Sequence, residues 1–159
     1  QMTSKEAQTA YITYTVMLET CLGCTSSFYT NMYEQGLINE SFNVGVFYCR
    51  GAFVCVIDGE SKEPFLLKEK INSELNRLRT ELPNREEFEN IKKRVYGGFL
   101  YYFENVSSNA TSMLNAEMLG VNVFDGVDII SKLTYEDILD ALNKLDIDNC
   151  SISVVVPTI

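Results

Sequence analysis

N-V-G-V-F-Y-C (Asn43–Cys49), then Arg50-Gly51, then A-F-V-C-V-I-D (Ala52–Asp58), is the run that decides the fold class. Val, Ile, Phe and Tyr favour the pleated, half-buried chain. The Arg50-Gly51 pair between two such runs reads as the turn of an antiparallel hairpin. Gly59 and Ser61 close it, and Pro64 suits the first turn of a helix.

Working outward, helices flank the hairpin. Downstream, Glu63–Glu81 carries an apolar stripe at Leu67, Ile71, Leu75 and Leu78, the spacing of one helix face. Pro83-Asn84 breaks the chain. Asn84, with Glu87 three residues on, opens a helix to about Phe103 whose apolar face is Phe88, Ile91, Val95, Phe99 and Tyr102. Gly97-Gly98 inside it costs about 1 kcal/mol per glycine relative to alanine, which marks close approach by a neighbouring element. Further helices follow from Ser107 or Ser108 to Leu119, across Val123–Ser131, and from the Thr134/Asp137 capping pair to about Leu145.

Upstream, about Lys5–Leu22 is β-rich in composition, but its length and flanks favour a buried helix. Gly23 offers a left-handed C-terminal residue. Thr25, Ser26 and Ser27 offer N-caps for a second helix to about Gln35, stopped by Gly36. Ser151–Val156 reads as a last strand before Pro157. Helices around a thin sheet give an α+β layer, with helices packed on one face of a small, largely antiparallel sheet. No repeat or linker divides residues 1–159, so a single domain is expected.

Composition narrows the function. Lys and Arg total 13 against 22 Asp and Glu, a net charge of −9. Such a surface repels phosphate backbones and anionic lipid, so nucleic acid and membrane are not expected partners. No apolar run approaches the roughly 18 residues that span a bilayer. The start has no basic segment followed by an apolar one, so no signal peptide is expected. Five cysteines, an odd number, read as free thiols in a reducing cytoplasm.

Histidine is absent. That removes any Ser-His or Cys-His nucleophile pair, and the commonest zinc ligand with it. Cys21-Leu-Gly-Cys24 could be half a zinc site, but zinc wants four ligands and Cys49, Cys55 and Cys150 stand singly. A redox dithiol would place the pair at a helix N-terminus, where a thiol pKa falls; here it sits at a helix C-terminus, and packing is the simpler role. Glu86, Glu87 and Glu89, like Glu136 and Asp137, fall in first turns, where the helix dipole favours acids. Asp146 and Asp148 are too sparse for a calcium loop. Tyr29 and Tyr33, one turn apart, offer a modest aromatic surface to a partner.

S-S-F-Y-T-N-M-Y-E-Q-G-L-I-N-E-S-F (residues 26–42) resembles the S-x-L-Y-x-x-L-Y-E-x-G-L-I-x-x-S-F segment in the carboxy-terminal, non-catalytic domain of bacterial pitrilysin (insulinase) family zinc peptidases. I-K-K-R-V-Y-G-G-F-L (91–100) is similar to that domain's K-K-x-x-G-x-F-L helix. L-T-Y-E-D-I (133–138) and S-I-S-V-V-V-P (151–157) are similar to its closing helix and strand. The ordered set, over nearly the whole chain, carries the resemblance.

The resemblance implies a half-domain that lacks the family's first strand, and therefore a piece of a longer two-domain chain. It implies a peptide-enclosing chamber and, elsewhere, a catalytic domain holding zinc on an inverted H-x-x-E-H helix, or the counterpart of that domain in an inactive homologue. With no histidine, this chain is expected to be non-catalytic and free of metal. The partners implied are that catalytic domain, in the same or a partner chain, and a peptide substrate, with a homo- or heterodimer as the assembly. Many family partner domains use an Arg and a Tyr to hold substrate. Here Tyr33 occupies the Arg position and no Tyr follows Gly36 at the usual distance, so that role does not carry over. Tyr33 and Phe42 remain the candidate peptide contacts. Two other readings stand beside this one: a free-standing domain dimerising through an open sheet edge, and a thiol redox protein using Cys21 and Cys24.

Overall fold

The computed structural model describes residues 3–49, 52–104, 106–122 and 124–156. The hairpin forms as expected. Strand β1 (Asn43–Cys49) pairs antiparallel with β2 (Ala52–Asp58), Asn43 opposite Asp58 and Phe47 opposite Val54. The turn residues Arg50-Gly51 lie outside the described residues. Alternation splits the ladder into two faces. Val44 and Val46 point into the core, whereas Phe47 and Val54 point away from it and are 68% and 53% exposed.

Helix α1 (Ser4–Leu22) crosses the inner face of β1. Thr3 and Glu6 form a capping box at its start, Thr3 Oγ1 accepting from the Glu6 N–H at 3.3 Å. Despite the β-rich composition the helix forms, and Thr9, Thr13, Thr15 and Thr20 each satisfy the hydroxyl by donating to the carbonyl four residues back. Its second half is buried through Val16, Met17, Leu18, Cys21 and Leu22.

Helices α2 (Ser27–Glu34), α3 (Pro64–Glu81), α4 (Arg85–Glu104), α5 (Val106–Leu119), α6 (Asp125–Lys132) and α7 (Tyr135–Lys144) complete the layer. Helices α2, α3, α4, α6 and α7 pack on α1, while α5 packs on α4. The α3 stripe Leu67, Ile71, Leu75 and Leu78 is buried, as are Phe88 and Ile91 of α4. Phe88 lies edge-on to Tyr135 with ring centroids 5.6 Å apart, and the Tyr135 hydroxyl donates to the Pro83 carbonyl. The chain is thus α+β, with helices on one face of a small antiparallel sheet.

Two expectations are corrected. Ser151–Val156 forms no strand; among the described residues the sheet has two strands, and Val155 is 94% exposed. The composition is right for a strand, but a strand exists only through a neighbour's hydrogen bonds, and this segment has no such neighbour here. Gly23 is not left-handed. It sits at φ −65°, ψ 171°, and closes α1 by donating to the Glu19 carbonyl at 3.0 Å. Its smallness matters for another reason: a Cβ there would lie 2.4 Å from that same oxygen.

Candidate peptide-contact site

The segment that carries Tyr33 and Phe42 is built from short-range bonds. Ser26 Oγ caps α2 by accepting from the Tyr29 N–H at 3.0 Å. The helix ends in a Schellman pattern: the Leu37 N–H donates to the Met32 carbonyl at 3.0 Å, and Gly36 takes φ +67°, a conformation glycine adopts without strain. Asn39 Oδ1 then accepts from the Ser41 N–H at 2.9 Å, while Asn39 Nδ2 donates to Glu60 at 2.8 Å. Ser41 Oγ accepts from the Glu60 N–H at 2.9 Å. These bonds lash the loop before β1 to the residues just after β2.

That lashing sets Phe42. Its ring stands 6.4 Å from Phe28 and 5.9 Å from Tyr29, and it is only 7% exposed. Tyr29 stacks on Tyr33 at 6.0 Å with planes 16° apart, and Tyr33 is 46% exposed. The two candidates therefore belong to one aromatic row, Tyr33–Tyr29–Phe42–Phe28. Tyr33 faces solvent, and Phe42 lies beneath, one ring removed. Sequence spacing revealed the Tyr29–Tyr33 pair; the burial of Phe42 depends on loop contacts 21 and 19 residues away in the chain, which spacing does not encode.

The Cys21–Cys24 corner lies beside the start of α4. Burial, with the charges of Glu74 and Glu87 nearby, pushes the Cys21 thiol up to about 12, whereas Cys24 is exposed. A thiol so placed supplies no thiolate near neutral pH. A cavity of about 200 Å³ adjoins it, lined in part by Cys21, Ser26, Arg77 and Glu87. Glu87 was expected only as a cap residue of α4. Its carboxylate instead accepts from the Thr25 hydroxyl at 3.1 Å, and burial lifts its pKa above the usual range, an effect that hydroxyl partly opposes. Asn84 Oδ1 does the capping, accepting from the Glu86 N–H at 2.9 Å.

The donor set does not fit zinc. The chain has no histidine, and among the described residues no three Cys, Asp or Glu side chains come together as a metal site would need. No helix among them is long and apolar enough to cross a membrane.

The helix layer and hairpin share the fold of part of a solved M16-like peptidase structure from Alicyclobacillus acidocaldarius, which superposes with a TM-score of 0.80 over 91% of this chain and 34% of that one, at 21% identity. In sequence, the chain is 29% identical over 154 residues to the uncharacterized zinc protease YmfH of Bacillus subtilis (strain 168), covering 96% of this chain and 36% of that protein. No family model matches. The resemblance to zinc peptidases of this family is thus borne out, and the chain spans about a third of the length of the relatives it matches.

Proposed function

We propose that this chain is a non-catalytic domain of a pitrilysin-family zinc metallopeptidase, forming part of the wall of a peptide-enclosing chamber and supporting a catalytic domain located elsewhere. The observation that carries this reading is the uncovered sheet face. Helices pack on one side of the hairpin, while Phe47 and Val54, directly opposite one another, stand bare on the other. An exposed apolar pair on an open sheet is suited to an extended peptide, whose side chains alternate like those of the sheet.

The similarity to a zinc protease of about three times the length supports a longer polypeptide in which zinc chemistry belongs to another domain. In that arrangement Tyr33 touches the peptide and Phe42 holds the aromatic row from below. The free thiols agree with a cytoplasmic setting.

The test uses the longer polypeptide and a fluorogenic peptide. The expected result is cleavage that a chelator abolishes, with no cleavage by residues 1–159 alone. Cleavage by this chain alone, or none by the zinc-loaded longer polypeptide, would overturn the reading. Phe47→Glu in the longer polypeptide should raise KM for the peptide while leaving kcat nearly unchanged.

A further inference from the structure

The second half of α4 and nearly all of α5 are unlike the rest of this acidic molecule. From Val95 to Ala116 the sequence carries one charged residue, Glu104. Among the described residues there, large apolar side chains are nonetheless exposed. Tyr101 on α4 is 68% exposed, and Leu114 on α5 is 62% exposed, with Met113 and Met118 also outward. Exposed aromatic and methionine side chains without charges are the composition of the centre of a protein interface, not of a solvated face.

Gly97 and Gly98 add an independent observation. Each weakens α4 relative to alanine. At two other glycines a side chain would collide: a Cβ on Gly126 of α6 would meet the Phe99 ring at 2.8 Å, and one on Gly59 would meet the Phe42 Cα at the same distance. At Gly97 and Gly98 a Cβ would meet nothing within 4 Å. The close approach that two mid-helix glycines permit is not used by any described part of this chain.

We infer that the exposed apolar surface of α4 and α5, together with the open positions Gly97 and Gly98 of α4, is covered by a helix from another domain of the same polypeptide. The occupant is chosen on three grounds. The relatives run to about three times this chain's length, so a partner domain on the same polypeptide is at hand. The face carries no lysine or arginine between Val95 and Ala116, which removes the charge a phosphate or an anionic lipid would need. Paired small residues on a helix admit a second helix backbone at short range. The inference rests on the chamber reading, since it names the surface through which this domain would be held to the remainder.

Hydrogen exchange compares the longer polypeptide with residues 1–159 alone. The amides of 96–101 and 109–118 should exchange at least roughly tenfold more slowly in the longer polypeptide. Gly97→Gln and Leu114→Glu place good helix formers at open positions. Gly97→Gln should raise the melting temperature of the isolated chain by about 2–4 °C, Leu114→Glu should leave it nearly unchanged, and each should erase the protection in the longer polypeptide. Equal exchange in the two forms would overturn the inference. So would a dimer of the isolated chain, seen by sedimentation, that protects the same amides, or a gene that encodes only these residues. Protection without peptide cleavage would remove the chamber reading and leave the docking face. Cleavage without protection would do the reverse.

Discussion

The Thr25 hydroxyl donates to the Glu87 carboxylate at 3.1 Å across 62 residues of sequence, fastening the corner between α1 and α2 to the first turn of α4. The bond lies beside the buried Cys21 thiol. It leaves a half-buried acid whose protonated form is favoured by folding.

That acid gives a pH dependence with a definite sign. The folded pKa of Glu87 lies above the 4.5 of the free group, because burial outweighs the Thr25 hydroxyl bond. The stability it contributes is therefore fully present below 4.5 and is lost as the pH rises through the raised folded value. Glu87→Gln removes the titration. In urea unfolding, the variant should gain on the wild type as the pH rises from 4.5 through the raised folded value. A stability difference that stays flat over that range would show the carboxyl to be unperturbed.

The cysteines should separate by reactivity. Cys24 and Cys150 are exposed, whereas Cys21 is buried with its thiol pushed up to about 12. Iodoacetamide followed by peptide mapping should find Cys24 and Cys150 alkylated promptly, and Cys21 only at the rate of unfolding. Because the folded value is raised from 9.0, the stability owed to a neutral Cys21 holds below 9.0 and declines as the pH rises towards 12. Prompt native labelling of Cys21 would revive the dithiol reading.

Two glycines should respond unequally to alanine. Gly36→Ala forces a side chain into φ +67° with open space around it, at a cost of about 1–2 kcal/mol. Gly59→Ala meets φ +148° and also sets a Cβ 2.8 Å from the Phe42 Cα, so the loss in thermal unfolding should be larger. Equal losses would mean that the loop before β1 yields freely, contrary to its bonds from Asn39 and Ser41 to Glu60.

Tyr33→Ala in the longer polypeptide should raise KM for peptide about tenfold, the equivalent of about 1.4 kcal/mol, with kcat unchanged because the ring touches no reacting atom. An unaltered KM would remove Tyr33 from the peptide site.

Much of this architecture is local, and local features are readable from sequence. The strand boundaries of β1 and β2, the buried stripe Leu67–Leu78 and the Thr134–Asp137 cap all depend on residues within a few positions of each other. What escaped depends on distant parts of the chain. Phe42 is buried because Glu60 fixes its loop. Glu87 turns to Thr25 rather than to its own helix N-terminus. Ser151–Val156 has the composition of a strand, yet the partner that would make it one is not among the described residues. Of the candidate site, the Tyr29–Tyr33 pairing was legible from helical spacing, and the depth of Phe42 was not.

The unpaired Ser151–Val156 also bears on how the molecule behaves in concentrated solution. Its six residues are uncharged, rich in valine and free of proline. Such segments stack into cross-β assemblies when left open. The brake on that process is colloidal: a net charge of −9 keeps the molecules apart. Near the isoelectric point of about 4.5, or in high salt, that repulsion vanishes. The solubility of the isolated chain is therefore set by its acidic surface acting at a distance on a short stretch of bare valine.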